Sequence, residues 1–212
     1  MGVTPERVLA EYLERGGQVW TDEGRLALRA PKGVVTDALR SELREHKSSL
    51  VDLVGPGRTL APISSQEQRL WYLQTHEKLE SAYNIDIAFD IAGPLDLDAL
   101  QKAFQTILDR HEPLRTCYCV LDGQPFRSIL SHTHAAIDFA DLSGDTDPVA
   151  SASALGRELS RTPFDLSAGA LFRALALRLG ADHYRVYITT HHIAVDGPSV
   201  QILVDELARA YD

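Results

Sequence analysis

The stretch Tyr187-Ile188-Thr189-Thr190-His191-His192-Ile193-Ala194-Val195-Asp196-Gly197-Pro198-Ser199 decides how the chain is read. Tyr184 to Thr190 is rich in β-branched and aromatic residues, which predicts a strand. Gly197-Pro198 predicts a break. From Ser199 to Ala210, Val200, Leu203, Val204 and Leu207 recur at helical spacing. Two imidazoles therefore stand where a strand delivers side chains into a loop, a place from which a rigid scaffold can aim chemistry. Neighbours on extended backbone point to opposite faces, so one histidine meets a ligand and the other turns inward. An imidazole titrates near neutral pH and can accept or orient a proton. Asp196, one turn later, can pair with a base or orient an imidazole.

Plainer readings of the same residues stand beside this one. Adjacent histidines at a strand end can be ordinary hydrogen-bonded residues. A zinc site needs three or four ligands, and no His-x-x-x-His pair and only two cysteines are available, so no metal is expected. Ser199 lacks the Gly-x-Ser-x-Gly setting of a nucleophile elbow.

Working outward, the charge divides the chain. Residues 1–58 hold nine basic and nine acidic side chains, whereas the rest hold twelve and twenty-one, which accounts for the whole net charge of −9. That step predicts two units, and the acidic excess argues against nucleic acid as a partner. An apolar content of 44% with 24% charged residues is that of an ordinary globular chain. No apolar run approaches the roughly 18 residues of a transmembrane helix, so no membrane is expected. Cys117 and Cys119, at i and i+2 in a strand-like run, cannot close a bridge along one strand; both are expected reduced, in a cytoplasmic setting.

In the N-terminal unit, Thr4-Pro5-Glu6 opens a helix that Gly16-Gly17 ends. Residues 18–21 and 25–29 alternate around Asp22-Glu23-Gly24, a β-hairpin with Val19, Leu26 and Leu28 expected inward. Thr36 opens a second helical stretch with a break near His46, and Gly55-Pro56-Gly57 reads as a linker. Fewer than 60 residues make a small core, and such units gain by docking or dimerising. In the longer part, Ser64 and Glu67 have capping-box spacing. Asn84 to Gly93 alternates as a half-buried strand, and Leu97 to Arg110 forms a helix ended by Pro113. A hairpin turns at Asp122-Gly123, and residues 147–161 form another helix.

Three ordered motifs carry a resemblance. His191-His192-x-x-x-Asp196-Gly197 resembles the active-site signature of nonribosomal peptide synthetase condensation domains. Arg110-His111-Glu112-Pro113-Leu114-Arg115-Thr116 is similar to their Arg-His-Glu-x-Leu-Arg-Thr motif. Ser64, Arg69, Leu70, Trp71 and Leu73 match their first motif, with Gln66-Glu67 in place of the usual Ala-Gln. Pro163-Phe164-Asp165-Leu166 with Leu171-Phe172-Arg173 resembles another recurrent stretch. Residues 1–57 resemble TubC-type docking domains through Gly16-Gly17, Gly24-Arg25-Leu26, Ala30-Pro31-Lys32-Gly33 and Lys47.

The resemblance implies a mixed α/β (α+β) chain. Residues 1–57 are a helix–β-hairpin–helix docking domain, and residues 58–212 are the N-terminal lobe of a chloramphenicol-acetyltransferase-like α/β sandwich. The second lobe is absent, so the chain alone is expected to be inactive. It further implies amide formation between substrates carried on the phosphopantetheine of carrier proteins, with no cofactor bound directly. His192 is then the catalytic residue. His191, Asp196 and Gly197 shape the loop, and Arg115, or alternatively Arg110, pairs with Asp196. Val19, Trp20, Arg25, Leu26, Leu28, Arg29 and Lys32 are expected at the docking interface. The expected partners are the acidic C-terminal tail of an upstream carrier protein, a downstream carrier protein, and a second copy through the docking domain. Two alternatives remain open here: a docking module with a passenger lobe, and a stand-alone coenzyme A-dependent acyltransferase.

Overall fold

The computed structural model describes residues 3–77 and 80–211. The chain forms two compact units. One gathers Met1–Trp71, Thr116–His132 and Leu166–Gly169; the other gathers Tyr72–Arg115, Thr133–Asp165 and Ala170–Asp212.

The first unit is built on a five-stranded sheet. Helix α1 (Pro5–Glu14) starts where the Thr4 hydroxyl accepts the Arg7 N–H, with Pro5 in the first turn. Strands β1 (Gln18–Asp22) and β2 (Arg25–Arg29) form the hairpin, followed by α2 (Asp37–Glu45) and α3 (Lys47–Val54), separated at His46. Gly17 has no alternative: a Cβ there would strike the Tyr12 ring, whose hydroxyl ties α1 to Arg29 O at 2.8 Å. Strand β3 (Arg58–Ala61) follows, absent from the sequence reading. It pairs on one side with β1 and on the other with β6 (Gln124–Leu130), which pairs in turn with β5 (Thr116–Leu121), giving the order β2-β1-β3-β6-β5. The sheet therefore runs across residue 57, and Leu60 and Phe126 share one core with Val8, Leu9, Leu39 and Leu50.

Leu28 departs from expectation. It lies opposite Val19, yet Val19 is fully buried and Leu28 is 44% exposed. β2 is the outer edge of the sheet, and Leu28 there opens onto a groove that Arg40, Arg44 and Lys47 also line.

Helix α4 (Ser65–His76) opens on the expected capping box: Glu67 accepts the Ser64 N–H, and the Ser64 hydroxyl accepts the Glu67 N–H. The second unit is a four-stranded sheet of order β4-β9-β8-β7, from β4 (Asn84–Ala92), β7 (Ile137–Asp141), β8 (Phe172–Gly180) and β9 (His183–His191). Helices α5 (Leu97–Arg110) and α7 (Gly197–Tyr211) cover one face, where Leu100, Phe104 and Ile107 meet Ala174, Ala176, Val186 and Ile188. Alternation sends Leu177 and Leu179 to the other face, against α6 (Pro148–Arg161). There Gly156 lies so close to the Tyr187 ring that a Cβ would fall 2.5 Å from it, which lets the helix sit down on β9. Between α5 and β5, residues Glu112–Arg115 form a 3₁₀ turn.

Among the described residues, no helix is long and apolar enough to cross a membrane. Cys117 and Cys119 are both free thiols.

Candidate active site

Strand β9 runs antiparallel between β4 and β8, in unbroken register with β4 and with β8 up to an irregularity at Arg178/Gly180, and its last four residues, Ile188 to His191, are buried. Two hydroxyls fix this end: Thr190 donates to Leu171 O at 2.7 Å and Thr189 to Asp86 Oδ1 at 2.8 Å. The alternation then continues into the loop. His191, Ile193 and Val195 point in; His192 and Ala194 are half-buried; Asp196 is exposed.

The His191 ring is fully buried. Its Nδ1 accepts the Ile193 N–H at 3.1 Å, which places the ring proton on Nε2. Nε2 has no hydrogen-bond partner among the described residues; the rings of Tyr83 and Phe164 stand 6.1 and 6.2 Å away, the latter perpendicular. Burial, with the neighbouring His192 adding to it, holds the His191 pKa down to about 4, so the ring is neutral at physiological pH. The same residue starts the loop, because its carbonyl accepts the N–H groups of Ala194 and Val195.

His192 is held by its backbone, whose N–H donates to Tyr83 O at 2.8 Å. Its Nδ1 is sealed, with no partner among the described residues. That leaves Nε2 as the nitrogen open to a ligand.

Asp196 turns to its own helix. Oδ1 accepts the Ser199 N–H at 3.0 Å and the Ser199 hydroxyl, so the residue caps α7. These bonds, with His192 nearby, hold its carboxyl below the usual carboxylate range. The expected pairing with an arginine is replaced. Arg115 lies 3.8 Å from Glu112, and Arg110 reaches Glu206 on α7 at 2.9 Å. The cause is local: with Ser199 three residues on, the Asp196 carboxylate is satisfied within its own first helical turn. Gly197 also differs from the expected role. It opens α7 without a positive φ, and a Cβ there would meet open space.

Glu206 was missed by the sequence reading. Its Oε2 holds both Arg110 and His111, the latter at 2.8 Å, and these contacts hold its carboxyl below the usual range. Of the two carboxylates between Leu203 and Leu207, Asp205 is exposed and Glu206 is half-buried beside the inward stripe of α7, and that position next to Leu207 was the signal. Beside the loop, His111, Pro113, Ala194, Val195 and Ile202 line a cavity of about 130 Å³. No cluster of three or more metal-ligating side chains occurs among the described residues.

The family model of the condensation domain matches residues 58–212, and that of the TubC N-terminal docking domain matches residues 6–54. The chain belongs to the condensation domain family. Bacitracin synthase 2 of Bacillus licheniformis is 25% identical over 207 residues, covering 90% of the chain and 8% of that synthase. Malpibaldin synthetase of Mortierella alpina is 36% identical over 150 residues, covering 70% of the chain and 3% of that synthetase. The solved starter condensation domain of rhizomide synthetase RzmA superposes with a TM-score of 0.66 at 23% identity, over 72% of the chain and 38% of the solved one. The chain thus spans a small part of the curated synthetases it matches, and a little over a third of that solved structure. The mixed helix and sheet fold is that of condensation domains.

In this condensation-domain chain the residues expected at a docking interface split between two sheet faces. Val19, Leu26 and Leu28 share the helix-covered face, whereas Trp20, Arg25 and Arg29 alternate to the other; Lys32 sits in the following turn. Beside β2 a groove of about 570 Å³ runs between Leu26, Leu28 and Pro31 on one wall and Arg40, Arg44 and Lys47 on the other. Those last three cations were not in the expected set. Glu23 and Gly24, at φ +46° and +74°, make a two-residue hairpin loop, so Asp22 and Arg25 exchange hydrogen bonds. Alternation then turns the backbone groups of Leu26 and Leu28 toward the open edge.

Proposed function

We propose that the chain is the docking and histidine-bearing portion of a nonribosomal peptide synthetase that forms an amide between two tethered substrates. The observation that carries this is the division of labour between the histidines: His191 sealed and neutral, His192 half-open with one nitrogen available. Phosphopantetheine arms of an upstream and a downstream carrier protein present the two thioesters. The downstream amine attacks the upstream thioester carbonyl, a C–N bond forms, the C–S bond breaks, and the upstream thiol leaves. His192 takes the amine proton or orients the amine for attack. Holding both arms in one geometry supplies much of the acceleration.

The solved condensation domain is covered to 38% by the chain. A polypeptide of these 212 residues alone is therefore expected to form no amide from loaded carrier proteins followed by mass spectrometry. Product above the uncatalysed level would overturn that.

Residues 1–57 are the docking part of this reading, and residues 58–212 the condensation part. The upstream partner presents an acidic C-terminal tail that adds as a strand to β2, its apolar side chains over Leu26 and Leu28 and its carboxylates toward Arg40, Arg44 and Lys47. Titration with acidic carrier-protein tails should shift the amides of residues 18–32 saturably. R40E/R44E should weaken binding about tenfold or more, and more so at low salt, while R25E/R29E on the opposite face should change it less. Equal effects of the two pairs would overturn the assignment to the groove, and an absence of shifts would remove the docking reading.

A further inference from the structure

We propose that Arg173 is a positioning residue for the histidine pair and that it acts through Phe164. The inference rests on the reading of His192 as the group that meets substrate.

Arg173, near the start of β8, is tied down at three points. Its Nη1 donates to Thr162 O at 2.6 Å, its Nη2 donates to Pro163 O at 2.7 Å, and its guanidinium carbon lies 3.9 Å above the centre of the Phe164 ring. The two carbonyls belong to the chain leaving α6, where the helical ladder supplies no donors. Asn84 grips the same exit from β4, donating to Ser160 O at 2.6 Å and Thr162 O at 3.0 Å. The segment Thr162–Phe164 is thus held by side chains from two strands that flank β9.

Capping the exit of α6 would explain the two carbonyl bonds alone. It does not explain the stacked ring. A cation over an aromatic face fixes the plane of that ring, not only its place. Phe164 is 5% exposed, and its ring stands perpendicular to that of His191. His191 has a single hydrogen bond from its ring, at Nδ1, so its orientation about that bond is set by the aromatic wall. His192 follows directly on the backbone that His191 anchors. The path from Arg173 to the open imidazole runs through one guanidinium, one ring and one buried histidine. It gives a role to the Phe164 and Arg173 motif, which the docking and condensation chemistry leave unexplained.

Imidazole NMR of the 212-residue chain tests this without turnover. The unaltered chain should show His191 as a single tautomer protonated at Nε2, with slow exchange of that proton. R173A should mix the His191 tautomers, speed exchange of the Nε2 proton about tenfold or more, and shift the His192 ring signals. R173K should restore part of the pattern, since an ammonium keeps a charge over the ring but lacks the fork. F164L, with Arg173 intact, should reproduce the R173A signature. Amides of α5 and β7, which belong to the same compact unit as Arg173, serve as the control for folding and should keep their dispersion. A folded R173A or F164L chain with unchanged histidine signals overturns the proposal; if R173A does not fold, F164L decides. Failure of the amide-forming reading would instead appear as an active His192→Ala enzyme, and would leave these signals as described.

Discussion

Replacing His192 by alanine in a synthetase that carries this domain is expected to lower amide formation by about 10²- to 10⁴-fold, the range that a positioned proton-transfer group contributes. The loss appears in single-turnover measurements with both carrier proteins loaded, so that loading and release do not mask it. Tail binding at the proposed β2 edge should be unchanged, because His192 lies in the other compact unit. The geometry gives the reason. His192 is the half-open member of the pair, and its backbone is fixed to Tyr83 O, so a ligand meets a preset ring. A His192→Ala enzyme retaining full single-turnover rate would remove the catalytic assignment. An enzyme losing only a few-fold would favour the orienting role over the base.

Acid weakens the unit that holds the histidines well before its carboxylates are protonated. His191 has a folded pKa near 4 against an unfolded value of roughly 6.5, so the unfolded chain binds the proton first as pH falls. The contribution is present in full above about pH 6.5, is lost progressively toward pH 4, and amounts to roughly 3 kcal/mol. The carboxyls of Asp90, Asp196 and Glu206 are held low by their partners, so their contributions disappear at lower pH still. Urea unfolding followed through amides of β9 at about pH 7, 6 and 5 should therefore show a slope that His191→Phe flattens. An identical slope in His191→Phe would assign the acid sensitivity elsewhere.

Much of this was legible in the sequence because local chemistry dictated it. The Thr4 and Thr36 caps, the break at His46, the hairpin turning at Asp22-Glu23-Gly24 (one residue longer than the loop observed) and the alternation of Asn84 to Ala92 follow from rules acting over a few residues. That the two histidines part, one inward and one outward, followed from the two-residue period of extended backbone; which of them turns in was implied only by the resemblance. What was not legible depended on partners distant in sequence. Arg58–Ala61 is too short to announce itself as a strand, and exists because β1 and β6 pair with it on both sides. Leu28 alternates like a core residue, but it sits on the edge strand and opens onto the groove beside it. Glu206 finds Arg110 and His111 nearly a hundred residues away, and nothing near Asp196 foretold that Ser199 would satisfy it first.

The sheet that crosses residue 57 bears on how such assembly lines can be recombined. A segment excised at that residue carries away α1, α2, α3 and the hairpin, but leaves Leu60 and Phe126 behind and opens the floor of its own core. It also strips β1 of its neighbour, so a piece that has one bare edge within the sheet acquires two, each a template for pairing with another copy. Grafting that piece onto a foreign enzyme asks the host to supply a matching β3 and a matching Phe126. A graft that takes Arg58–Ala61 and the β5–β6 hairpin along brings its own. The part that can be exchanged intact is the sheet.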